Sequence, residues 1–77
     1  MIQFVAKERS TTVFGRRLRE LREAKGMSLR DLEDATGIAF QTLSKYERGD
    51  NLPNWKTVES LADALKVSTE EFREKSD

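Results

Sequence analysis

The chain has 77 residues, with 14 Lys or Arg against 14 Asp or Glu, and it contains neither Cys nor His. That length fits one domain with a small core. The missing Cys and His exclude disulfides, thiolate metal sites and the commonest general base, and no apolar run approaches the ~20 residues that cross a bilayer. Net charge is zero, but the charge is unevenly placed. Residues 1–30 hold eight Lys or Arg against three Glu, and residues 31–77 hold six against eleven Asp or Glu. Such a chain can turn a basic face to phosphate and an acidic face elsewhere, although the same charges also suit solvated helix surfaces.

Residues 1–11 form an N-terminal arm without helical period. Ile2, Phe4 and Ala6 alternate with Gln3, Val5 and Lys7, which fits a short strand or a mobile arm equally. MIQFVAKERS lacks the pattern of a signal peptide, so a cytoplasmic location is expected. The remainder, 12–77, reads as the folded domain. Thr12 can cap a helix running from Val13 to Lys25 and ending at Gly26. Phe14, Leu18 and Leu21 fall at helical spacing and face the core; Arg16, Arg17, Arg19 and Glu23 face outward.

Ser28 caps the next helix, with Asp31 completing a capping box. Leu29, Leu32 and Ala35 form its apolar face, Gly37 ends it, and Ile38 packs under the turn. A third helix is predicted from Ala39 to Glu47, with Leu43 and Tyr46 inside and Gly49 as its stop. Asn54 caps a fourth, Trp55 to Leu65, with Val58, Leu61, Ala62 and Leu65 inside; Trp55, beside Pro53, is assigned to packing. Ser68 with Glu71 opens a last short helix near Phe72 as a second capping box. The fold class is therefore all-α, a compact domain of five helices. The pair around Gly37 has the layout of a helix-turn-helix, whose second helix enters the DNA major groove.

The run from Phe14 to Phe72 resembles the XRE family of helix-turn-helix domains, which includes the lambdoid phage repressors and Cro. The resemblance is carried by LRELREAKGMS, then L-x-x-x-T-G-I, then TLSKYERG, then LADALKVS, in this order and at these spacings. It implies a five-helix, lambda-repressor-like fold and binding to double-stranded DNA at a palindromic operator. It also implies a largely buried structural salt bridge between Arg22 and Glu47. The chain departs from the family pattern at four places. Glu33 stands for a small Ala, and Leu29 for a Gln that helps hold a phosphate. Ala39 replaces the usual Ser or Thr cap, and Lys66 stands where Gly is common.

Base reading is expected from the start of the third helix: Ala39, Phe40, Gln41 and, one turn on, Lys45. Gln41 can pair with adenine N6 and N7, Lys45 can donate to guanine O6 and N7 or to phosphate, and Phe40 can lie on a thymine methyl. An exposed Phe40 equally suits a protein interface. Phosphate contacts are expected from Ser28, Arg30, Thr42, Ser44, Arg48, Asn51, Asn54 and Lys56, though Arg30 and Lys56 also read as solvated charges. A homodimer would use Val67, Phe72 and the arm. The alternative is a protein-interaction adaptor on the same fold. An enzyme is disfavoured: Asp31, Glu33 and Asp34 do not converge on one metal, and no residue pattern signals a cofactor or metal. The expected role is a repressor-like transcriptional regulator at the nucleoid.

Overall fold

A computed structural model describes residues 12–73; the arm over residues 1–11 lies outside the described residues. Four α-helices follow one another: α1 (Val13–Ala24), α2 (Leu29–Thr36), α3 (Phe40–Arg48) and α4 (Trp55–Leu65). A 3-10 turn, Thr69–Phe72, closes the series. Among the described residues there is no strand.

The helix starts follow from side-chain capping. Thr12 Oγ1 accepts from the Gly15 amide at 2.9 Å, and Asn54 Oδ1 accepts from Thr57 at 2.9 Å. At α2 the capping box is complete: the Asp31 amide donates to Ser28 Oγ, and the Ser28 amide donates to Asp31 Oδ2. Each such cap satisfies amides that a helix start leaves unpaired. Ala39 precedes α3 and supplies no side-chain cap. α3 has Ala39 at its cap position and runs from Phe40 through Arg48, one residue past the expected end.

Gly37 and Gly49 end α2 and α3 at φ 81° and 83°, a region that side chains with a Cβ disfavour. Lys66 adopts φ 59° after α4; this is a left-handed cap made without glycine, at some steric cost.

One leucine from each of α1, α2 and α3 meets two from α4. Leu18, Leu32, Leu43, Leu61 and Leu65 are all but fully buried, and Ala62 and Phe72 complete the core. Phe14, Leu21, Met27, Leu29, Ile38, Tyr46 and Val58 pack around it. Truncating such a leucine to Ala typically costs ~2–5 kcal/mol. α1 lies close against α3: Gly15 is buried, and a Cβ built there would lie 2.5 Å from the Tyr46 carbonyl oxygen. Glycine at this position permits the approach of the two backbones.

Several expectations need correction. The fifth helix is a single 3-10 turn. Glu71 and Arg73 amides donate to carbonyls three residues back, on Ser68 and Glu70, and the Ser68 hydroxyl accepts from the Glu70 amide. Four residues leave no room for an α-helical ladder, and the turn serves to drive Phe72 into the core. Phe72 stacks on Phe14 at a centroid distance of 4.9 Å and is 6% exposed, so it cannot supply a dimer surface. Val67 is half-buried against the same core.

Trp55 is not packed but 61% exposed. Its indole Nε1 donates to Glu59, one turn along the outer stripe of α4. Ala35 is exposed rather than on the inner face. Arg17 is not an outer residue: its side chain is 16% exposed. Its Nε donates to the Glu71 carbonyl at 2.7 Å and its Nη2 to the Glu71 carboxylate at 3.2 Å, tying the closing turn to α1.

Candidate functional site

α2, the Gly37 turn and α3 form one unit. Thr36 Oγ1 donates to the Leu32 carbonyl and accepts from the Ile38 amide, so the turn is held by a hydroxyl as well as by Gly37. Leu32 and Leu43 fix the two helices from below.

A second tether fixes α3 from its far end. Arg22 Nε donates to Glu47 Oε2 at 2.7 Å and Nη2 to Oε1 at 3.2 Å, while Nη1 donates to the Met27 carbonyl at 2.8 Å. The two side chains are 12% and 9% exposed. The hydrogen bond to Glu47 raises the Arg22 pKa above its usual value, outweighing desolvation, which pulls the other way. The guanidinium therefore stays charged, and its fork holds α1, the α1–α2 loop and α3 in one geometry.

The outward side of α3 carries the residues singled out for base reading. Gln41 and Lys45, four apart and both exposed, share one face. Ala39 is exposed just ahead of them. Phe40 departs from the expectation of an exposed ring. It is half-buried, and the Arg30 guanidinium sits over it, 4.3 Å from Cζ to the ring centroid. Such a contact is a cation–π interaction. Periodicity within either helix gave no sign of it, because it joins residues on two helices across the turn.

The residues expected at phosphates divide into three groups. Arg30, Asn51, Asn54 and Lys56 are exposed around the α2–α3 unit and the loop that follows it, and Thr42 is half-buried. Ser28 is committed to its capping box, where the Asp31 carboxylate already occupies its amide. Arg48 and Ser44 are committed to each other: Arg48 Nη1 donates to Ser44 Oγ at 2.6 Å, and Nε donates to Asp50 at 3.1 Å. An anion approaching Arg48 must compete with Asp50.

Among the described residues the large exposed apolar side chains are Val13, Leu52 and Trp55. None lies on α3. The outer face of that helix is polar and basic, the character that suits nucleic acid and not an apolar partner. No group of three or more acidic residues that could hold a metal occurs among the described residues, and none of their helices is long and apolar enough to cross a membrane.

Comparison with known proteins agrees with this geometry. A family model described as a helix-turn-helix domain matches residues 13–74. The uncharacterized HTH-type transcriptional regulator YazB of Bacillus subtilis is 36% identical over 60 residues, covering 78% of this chain and 87% of that protein. The cryptic phage CTXphi transcriptional repressor RstR of Vibrio cholerae is 34% identical over 56 residues, covering 73% of this chain and 50% of that protein. The chain likewise spans about half the length of several other relatives. The crystal structure of the restriction-modification controller protein C.AhdI from Aeromonas hydrophila superposes with a TM-score of 0.76 at 36% identity, covering 79% of this chain and 92% of that one. The family match runs from the start of α1 through the closing turn, and the chain belongs to the helix-turn-helix domain family, with α2 and α3 as its motif.

Proposed function

We propose that this protein is a sequence-specific, double-stranded DNA-binding transcriptional regulator of repressor type. The observation that carries the reading is the polar, basic outer face of α3, presented on a rigid helix-turn-helix in a chain whose relatives are named as transcriptional regulators. α3 enters the major groove with Ala39, Phe40, Gln41 and Lys45 toward base edges. Thr42, Asn51, Asn54 and Lys56 meet flanking phosphates, and Arg48 joins them when it exchanges Asp50 for a phosphate oxygen. Phosphate contacts set register, and base contacts set sequence. The protein acts in the cytoplasm at the nucleoid, as a twofold dimer on a palindromic site. Its dimer surface excludes Phe72.

The experiment is selection from random duplex DNA with the purified protein, at low and at physiological salt, beside a Gln41→Ala/Lys45→Ala variant. A palindromic site recovered by the wild type and lost by the variant is the expected result. Failure of the wild type to enrich any sequence, with only weak salt-sensitive binding, refutes the reading and favours a protein-interaction adaptor.

A further inference from the structure

Among the described residues, Arg16, Arg17, Arg19, Arg22, Arg48 and Arg73 each have a carboxylate partner. Arg30 is the exception. Its guanidinium lies against the face of the Phe40 ring. A ring face accepts no conventional hydrogen bond from the fork, so the guanidinium keeps its full charge and its N–H donors for another molecule.

We infer that Arg30 determines specificity by reading a guanine edge, with Phe40 as the residue that positions it. This rests on the DNA-binding reading above and changes the expected roles of both residues. Arg30 is the second residue of α2, yet its charged end lies over the first residue of α3. It is therefore carried from the flank of the motif to the end of α3 that faces base edges. Phe40, half-buried with Arg30 on its ring, serves the contact through Arg30 and not through a thymine methyl.

Placement favours a base over a phosphate: the fork can bind either in bidentate fashion, but over Phe40 it stands at the end of α3 that faces base edges. Guanine O6 and N7 present two acceptors in one plane, which a held planar fork matches in bidentate fashion. Holding the side chain before DNA arrives also removes part of the ordering cost of binding. The preceding residue, Leu29, has no polar side-chain atom to share the task.

The test is selection from random duplexes at one fixed salt concentration with the wild type, Arg30→Ala, Phe40→Leu, Phe40→Tyr and Gln41→Ala, each checked for a wild-type-like melting curve. The wild type should enrich a guanine at one position of each half-site. Arg30→Ala and Phe40→Leu should each lose about tenfold or more of the preference at that position, the scale of one bidentate contact, and leave the others intact. Phe40→Tyr, which keeps a ring under the guanidinium, should retain it. Gln41→Ala should relax a different position. If Arg30→Ala binds more weakly but keeps the guanine preference, or Phe40→Leu leaves it unchanged, the inference is overturned and Arg30 is a phosphate contact. If the wild type enriches no sequence at all, the DNA-binding reading itself fails, an outcome distinct from enrichment that ignores Arg30.

Discussion

Replacing Gly15 with Ala sets two effects of opposite sign against each other. Gly15 lies in the first turn of α1, where its replacement by Ala should stabilise by at most ~1 kcal/mol through propensity alone. The new Cβ, however, would lie 2.5 Å from the Tyr46 carbonyl oxygen, 2.6 Å from that of Glu47 and 3.0 Å from the Glu47 carbonyl carbon. Relaxed carbon contacts fall near ~3.5 Å, so α1 and α3 must separate locally by roughly 1 Å. The atoms met are backbone, not a side-chain tip that can rotate aside. Overpacking of this kind costs ~1–3 kcal/mol. The movement also strains the Arg22 fork, because Glu47 supplies both the crowded carbonyl and the paired carboxylate. The clash, together with the strained fork, should outweigh propensity by up to ~2 kcal/mol, which lowers Tm by as much as roughly 16 °C in a domain of this size. Thermal unfolding followed by circular dichroism reads it directly. A Gly15→Ala protein that melts at or above the wild-type temperature would falsify the argument, since it would show that propensity decides at this position.

The Arg22–Glu47 pair gives a second prediction. Glu47→Ala strands a mostly buried guanidinium and should cost ~3 kcal/mol, whereas the paired change Arg22→Met/Glu47→Leu should recover most of that loss; urea titrations of the three proteins test it, and a double variant no better than Glu47→Ala sinks the idea. The pH dependence follows from the raised Arg22 pKa. A pKa raised by folding gives stability that is complete below the unfolded-state value and fades only as pH climbs through the folded one. The Tm gap between wild type and Arg22→Met should therefore be flat between about pH 6 and about pH 9; a gap that closes within that window contradicts it. Third, Ala39→Ser should stabilise by ~1 kcal/mol by giving α3 the side-chain cap it lacks. The expected gain in Tm is roughly 4–8 °C, and no change in melting temperature argues that the α3 start cannot use a hydroxyl.

Where structure depends on neighbours in the chain, the sequence was readable. Thr12, Ser28 with Asp31, and Asn54 cap the helices they were expected to cap, because an N-cap needs only a side chain and an amide two or three residues on. Leu18, Leu32, Leu43, Leu61 and Leu65 face inward as helical spacing requires. What escaped depends on how helices cross. Arg17 meets Glu71 across 54 residues, and a helical wheel places Arg17 on an outer stripe until the closing turn folds over it. Arg30 and Phe40 meet only at the particular angle between α2 and α3. A position at a helix start beside Pro53 suggests packing for Trp55, yet the ring is exposed and its indole bonds Glu59 on the outer side of α4. Gly15 was a signal left unused: a glycine inside an amphipathic pattern points to close backbone approach.

The bond between α1 and the closing turn also governs when this domain can become whole. Phe14 and Arg17, near the beginning of the described chain, take as partners Phe72 and Glu71, near its end. A ribosome makes the first pair seconds before the second, at about 5–20 residues per second. Once α3 has been made, α1 has it to lean on, but the side of α1 that Phe72 and Glu71 cover stays open until those residues follow. The helix that braces the motif is therefore secured last. Premature release before residue 72 leaves the helix-turn-helix on an open frame, a species suited to proteolysis and not to lasting binding of DNA.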